Sequence, residues 1–172
     1  MQRKRSPRKL KKSCALNVLT IGYEGASLEE FIERLRRRGV GLVIDVRDVP
    51  LSRKRGFSKV ALSAALESAG LRYQHFRELG CPKPIRERYR VDRDWGRYTA
   101  SFMQHLNKQA AAVDAVAHLC KSSSAALLCY ESDPQQCHRT YVARAAARVT
   151  GAHVLHINAN GAIRDQAAAV AA

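Results

Sequence analysis

The sequence predicts a single-domain α/β fold, a three-layer sandwich with a mostly parallel sheet of about five strands, Rossmann-like but without a dinucleotide fingerprint. Three observations carry that expectation. Short apolar, β-rich runs alternate with segments of helical period. The first strand, helix and second strand fit within about 30 residues, the size of a βαβ unit with parallel strands and a right-handed crossover. The chain has 172 residues, 46% of them hydrophobic, which suits one domain with an ordinary core.

Leu16 to Ile21 is β-rich and ends at Gly22, giving a first strand. Ser27-Leu28-Glu29-Glu30 has capping-box spacing, so a helix starts there; Leu28, Phe31, Ile32 and Leu35 recur at helical intervals, and Arg36-Arg37-Arg38-Gly39 supplies cations and a glycine stop. Leu42 to Arg47 is a second buried strand, closed by Pro50. A helix follows from Ser58 or Lys59 to Ala69, with Val60, Leu62, Ala65, Leu66 and Ala69 available for its buried face, and Gly70 ends it. Leu71 to Phe76 is shorter and more polar, a strand towards an edge. Leu79 to Gly96 holds Gly, two Pro and many charges, so it reads as the least regular interior segment and a lid candidate. Tyr98 to Leu106 and Ala110 to Leu119 are helical, as two helices or one bent one. Ala125 to Cys129 is a buried strand, Thr140 to Thr150 a helix, and His153 to Ile157 a last strand. The expected organisation is a basic flexible arm over 1–14, one α/β domain over 15–158 and an Ala-rich tail over 159–172.

The formal charge is +15, and residues 1–13 hold seven Lys/Arg with no acid, so the body stays basic without them. Clusters at Arg34-Arg36-Arg37-Arg38, Arg53-Lys54-Arg55 and Lys83 through Arg97 suit phosphate backbones, anionic nucleotides or acidic protein surfaces, though each cluster equally suits a solvated face. No segment approaches the roughly 18 apolar residues that span a bilayer, so no membrane association is expected. The charged start is not followed by an apolar segment or cleavage site, so a secretory signal is not expected and a cytoplasmic location is. Five cysteines at irregular spacings argue for reduced thiols rather than a disulfide framework.

The richest stretch runs from Leu127 to Arg139, where a buried strand breaks into a polar loop and restarts as a helix carrying Cys137, His138 and Arg139. In open α/β sheets the carboxyl ends of strands and the helix N-termini that follow form the ligand crevice. Asp45 and Arg47 end the second strand on one side, with Val46 opposite. Arg47 there is a candidate anion ligand with Asp45 orienting it or serving as a base; a mutual ion pair explains both residues equally well. Ser52, Arg53, Lys54, Arg55 and Phe57 put donors, cations and a ring in one loop, suited to gripping a phosphate and stacking a base, or merely to solvation.

Cys137 has three candidate roles. Beside His138 and Arg139 at a helix start its pKa is expected to fall, favouring a nucleophilic thiolate with His138 as partner. Arg139 follows too closely for the Cys-x5-Arg phosphate loop. Cys129, Cys137 and His138 could hold a metal, but the eight-residue separation lacks the short Cys-x2-Cys knuckle, so no metal is assigned. The third role is a buried or helix-capping cysteine with His138 and Arg139 recruited as anion ligands. Glu131, on the side of Cys129, is a candidate acid/base or a holder of Arg139. Gly22-Tyr23-Glu24-Gly25 is not Gly-x-Gly-x-x-Gly, and is expected to turn tightly and bring Tyr23 and Glu24 to the same sheet edge. His75, His105, His118, His153 and His156 lack ligand spacing and are read as core or surface residues.

Thr20-Ile21-Gly22-Tyr23, Leu42 through Arg53, Phe57, Leu79-Gly80, and Cys129-Tyr130-Glu131 with Cys137-His138-Arg139 together resemble the bacterial family called domain of unknown function 488, over about residues 16–157. The resemblance implies a shared α/β domain with a polar pocket and names no substrate; Tyr23 stands where many relatives carry His.

The combined expectation is a polar pocket for a phosphate-bearing ligand, nucleotide or nucleic acid, at the carboxyl edge of the sheet. Arg47, Ser52, Arg53 and Arg139 would bind the anion, and Asp45, Glu131, Cys137 and His138 would carry acid/base or nucleophilic chemistry. No cofactor is required by the sequence. The alternative is a noncatalytic nucleic-acid-binding module using its basic surface.

Overall fold

Six strands form one sheet in the order β3-β2-β4-β1-β5-β6 in the computed structural model, which describes residues 16–166. The strands are β1 (Asn17–Gly22), β2 (Leu42–Asp45), β3 (Arg72–His75), β4 (Ala125–Cys129), β5 (His153–Asn158) and β6 (Gly161–Arg164). The first five run parallel and β6 is antiparallel to β5. Six helices accompany them: α1 (Leu28–Arg37), α2 (Lys59–Ser68), α3 (Lys83–Asp92), α4 (Trp95–Leu106), α5 (Ala110–Ser122) and α6 (His138–Thr150).

Side chains alternate across each strand, and this divides the core in two. Leu19, Ile21, Val43, Ala126 and Leu128 face Phe31 and Leu35 of α1 and Leu62 and Leu66 of α2. Val18, Leu42, Ile44, Val46, Ala125 and Leu127 face the opposite layer, where α4, α5 and α6 contribute Phe102, Val116 and Val142. Full burial of a Val, Leu, Ile or Phe side chain of this kind contributes about 1.5–3 kcal/mol relative to exposure. The expected three-layer α/β sandwich is therefore what forms, with six strands where about five were expected.

α1 begins as its sequence requires. Ser27 accepts from the backbone N–H of Glu30, and the Glu30 carboxylate accepts from that of Ser27, a reciprocal cap that stabilises by about 1 kcal/mol. β3, with Arg72 and Gln74 exposed, lies at the sheet edge.

Three expectations need correction, and one open alternative is decided. The supposed irregular segment from Leu79 to Gly96 contains α3, preceded by a short 3-10 helix at Arg77–Leu79. Pro82 and Pro84 resemble breakers, yet they fall at the cap and first turn of α3, where a missing N–H costs nothing. The helices over 95–122 are two, separated at Asn107–Gln109. Val60 is 82% exposed, because Leu62 and Leu66 alone define the buried stripe of α2. The tail expected from residue 159 instead supplies β6, which pairs Asn158 with Gly161 across a tight turn. The basic arm expected over 1–14 and tail residues 167–172 lie outside the described residues.

The register decides where the site can form. β2 and β1 both flank β4, with Gly22 opposite Cys129 and Asp45 opposite Leu128. The carboxyl ends of these three strands are thus adjacent, at the edge where open α/β sheets hold their crevice.

Candidate functional site

Three chain segments meet at this edge. The turn after β1 is laced to the loop after β4, because the N–H groups of Tyr23 and Glu24 both donate to the Tyr130 carbonyl, at 3.1 and 2.8 Å. The Glu24 carboxylate accepts from the backbone and hydroxyl of Ser132. The loop then turns back through a short 3-10 helix, Pro134–Gln136, capped by Asp133, and Thr140 of α6 donates its hydroxyl to the Pro134 carbonyl at 2.6 Å. This folding returns Cys137 beneath Glu131.

At the end of β2, Asp45 and Arg47 form a buried ion pair. Arg47 Nη2 lies 2.6 Å and Nε 2.9 Å from the two carboxylate oxygens. Tyr73 of β3 donates its hydroxyl to the same carboxylate at 2.6 Å, and Asp45 is fully buried. Arg47 Nη1 donates to the Tyr23 hydroxyl at 3.0 Å and to the Phe57 carbonyl at 2.8 Å. Burial alone would lower the Arg47 pKa, but Asp45 overrides it and raises the value, so the guanidinium keeps its charge. The pair ties β2 to β3, to the β1 turn and to the 52–57 loop. Arg47 borders the cavity described below while most of its donors are spent on protein oxygens.

Glu131 anchors a second cluster. Its Oε2 lies 3.1 Å from Cys129 Sγ and 3.0 Å from Cys137 Sγ. His138 Nδ1 lies 3.7 Å from Cys129 Sγ, while its Nε2 lies 2.8 Å from the Val46 carbonyl. That carbonyl can only accept, so Nε2 carries the proton and donates. Arg139 is fully buried; it donates to Thr20 Oγ1 at 3.3 Å and to the Glu131 and Ser132 carbonyls. It braces the loop from beneath and does not line the cavity, and it holds the backbone of Glu131 rather than its carboxylate.

Burial and the neighbouring Cys137 push the Glu131 pKa up to about 7. Burial opposes ionisation of Cys137, but the Cys129 thiol, the Arg139 charge and His138 outweigh it and hold Cys137 below the ordinary thiol value. Burial and the same Cys137 raise Cys129. Burial opposes a charge on His138 also, yet Cys137 and Glu131 raise its pKa. The floor is a cluster of ionisable side chains whose pKa values are shifted by burial and by one another.

Above it opens a cavity of about 530 Å³. Cys129, Glu131 and His138 reach its wall, and Cys137, 1% exposed, sits behind them. Ser52, Arg53 and Lys54 line one side. Ser52 is held in place by Ser58, whose hydroxyl both accepts from the Ser52 N–H and donates to the Ser52 carbonyl. Phe57, read from sequence as a base-stacking ring, is instead fully buried and stacks on Tyr23 with centroids 4.3 Å apart.

The opposite wall belongs to α3, whose helical character is obscured in the sequence by Pro82, Pro84 and a high density of charge. α3 is fastened to the end of β2, since Arg86 donates to Asp48 at 2.8 Å and to the Cys81 carbonyl at 3.0 Å. It presents Tyr89 and Arg90, and the start of α4 adds Trp95 and Tyr98. Trp95 and Tyr98 stack with centroids 4.6 Å apart, and Tyr89 packs edge-on against Trp95 at 5.5 Å. The one sequence signal for this wall was the recurrence of aromatic residues among the basic ones between 89 and 98.

No helix among the described residues is long and apolar enough to cross a membrane. Comparison with curated proteins and with solved structures gives no match. A family model described as "Domain of unknown function DUF488" matches residues 27–146, a span that includes the Asp45–Arg47 pair, both cavity walls and the Cys129–Arg139 segment. The chain belongs to this family, DUF488.

Proposed function

We propose that the cavity binds a phosphate-bearing ligand of the nucleotide class, free or as part of a single strand, with its base on the aromatic wall and its phosphate at the cationic rim. The observation that carries this reading is the pairing of two unlike walls across one cavity. Arg53 and Lys54 stand on one side, and Arg90 with Tyr89, Trp95 and Tyr98 on the other. Arg53 and Arg90 are exposed and have no ion-pair partner among the described residues, so their charges are free to meet a phosphate. Aromatic faces suit any base, and stacking contributes about 1–3 kcal/mol per base.

Glu131, Cys129 and His138 would then face the ligand from below, with Glu131 placed to exchange a proton with it. Asp45 and Arg47 serve this reading as the clamp that positions the Ser52–Phe57 loop. Arg139 serves it as the brace of Glu131, and Cys137 as the buried partner of the Glu131 carboxyl.

Equilibrium binding of nucleoside phosphates and short single-stranded oligonucleotides, measured over a series of salt concentrations, tests the reading. Saturable binding that the R53A/R90A double substitution weakens about tenfold or more supports it. A rival reading, in which a noncatalytic module holds nucleic acid by general basic charge, predicts steep salt dependence that follows deletion of residues 1–13 and ignores R53A/R90A. That second outcome, or no binding of any phosphorylated compound, contradicts the cavity reading.

A further inference from the structure

We infer that Cys129, Glu131, Cys137 and His138 form a binding site for one zinc-like divalent ion at the floor of the cavity. The inference goes beyond the nucleotide reading and does not depend on it. One ligand atom from each of these four residues lies within 4.8 Å of every other. A tetrahedral zinc ion with bonds of roughly 2.0–2.3 Å places its donor atoms about 3.3–3.8 Å apart. The contacts of Glu131 Oε2 with the two sulfurs, 3.1 and 3.0 Å, and of Cys129 Sγ with His138 Nδ1, 3.7 Å, need only small adjustments to surround an ion.

The donor chemistry selects the metal. Two sulfurs and an imidazole nitrogen are soft or borderline ligands that suit zinc or cobalt and disfavour magnesium and calcium, which demand oxygen. His138 is already oriented for coordination, because the Val46 carbonyl fixes the proton on Nε2 and leaves the Nδ1 lone pair directed at the cluster. An outer hydrogen bond of this kind, from the far ring nitrogen to a backbone carbonyl, is the usual support of a metal-bound histidine. The carboxylate ligand is preorganised as well: Arg139 holds the Glu131 and Ser132 carbonyls, and Gly22 leaves room for the Glu131 backbone to lie against β1.

The sequence argument against a metal was the eight-residue gap between Cys129 and Cys137. The returning loop removes it, because the 3-10 helix at Pro134–Gln136 and the start of α6 bring the second sulfur back to the first. Ion binding displaces the thiol protons to solvent, leaving two thiolates, the carboxylate and a neutral imidazole on the metal. Glu131 is the least buried of the four ligands and borders the cavity, which makes it the ligand that a substrate oxygen or water would replace.

The full chain, stripped with a chelator under a phosphine reductant, is titrated with cobalt(II). The expected result is saturation at one equivalent, with sulfur-to-cobalt charge transfer and the intense visible bands of a tetrahedral ion, bleached by one equivalent of zinc. The C129S/C137S double substitution abolishes the spectrum, and C120S, on α5, leaves it unchanged. A folded wild-type protein without charge transfer, or an identical spectrum from C129S/C137S, overturns the inference. Should the double variant fail to fold, the wild-type titration and His138→Gln, which must lose or shift the bands, decide the matter. Loss of nucleotide binding with the cobalt spectrum intact would count against the nucleotide reading alone, and the reverse against the metal alone.

Discussion

Gly22 closes β1 directly against the Glu131 carbonyl, where a Cβ would overlap the oxygen. The obstacle is backbone, which cannot rotate aside as a flexible side chain would. The loop that carries Glu131 therefore takes its position from the absence of a side chain on a different strand. Gly22→Ala is expected to cost about 3 kcal/mol of stability, the upper range for a forced overlap in a packed interior. Urea denaturation of the two proteins measures it, and an unchanged midpoint would refute the close approach.

The Asp45–Arg47 pair is expected to behave as a unit. Removing one partner leaves a buried charge unpaired, so Asp45→Asn and Arg47→Met should each destabilise by about 3–5 kcal/mol. The double variant should lose far less than the sum of the two, because the residues touch and share partners. A double-mutant cycle in denaturant reads this coupling directly, and additive effects would show that the pair is not the clamp described.

His156 gives the protein a stability that depends on pH. It is buried between Thr20 and Asp165, and burial, joined by the charges of Arg139 and Arg144, lowers its pKa despite the opposing pull of Asp165. The unfolded chain takes up a proton on this ring near its ordinary value of about 6.5, while the folded state resists it. Its contribution is therefore fully present above about pH 6.5 and is lost progressively as the pH falls towards the depressed folded value. Thermal melting between pH 7.5 and 5 should show a smaller acid loss for His156→Gln than for the wild type.

Trp95→Ala is expected to weaken nucleotide binding by about 1–3 kcal/mol with little change in salt dependence, because stacking releases no counterions. Arg53→Ala and Arg90→Ala should each reduce the salt slope by about one, the signature of a lost phosphate contact. Isothermal titration at several salt concentrations separates the two effects.

The sheet was legible because buried strands such as Leu42–Asp45 and Ala125–Cys129 are short apolar runs bounded by Gly, Ser or Pro, and the Ser27 cap marked α1 unambiguously. β6 was not legible, since Gly161–Arg164 has no alternation of its own and exists by pairing with β5. At the site, the sequence placed Asp45 and Arg47 at the end of β2, Glu131 just after β4, and Cys137 and His138 at the start of the helix that follows; the strand order, with β4 between β2 and β1, brought them near one another. It could not tell which charges face a cavity. Arg139 and Arg53 look alike in a list of cations, yet tertiary packing buries one beneath the loop and leaves the other at the rim. Two prolines disguised α3, and the aromatic wall was hidden with it.

The most direct test of the nucleotide reading uses Trp95, the single tryptophan of the chain, as a reporter built into the cavity wall. Its emission is followed while a nucleoside phosphate is added, with inorganic phosphate as the control. The account predicts a saturable change with the nucleotide, little change with phosphate alone, and loss of the response in R53A/R90A. A nucleotide that binds without altering Trp95 emission, or a response that R53A/R90A leaves intact, would contradict it.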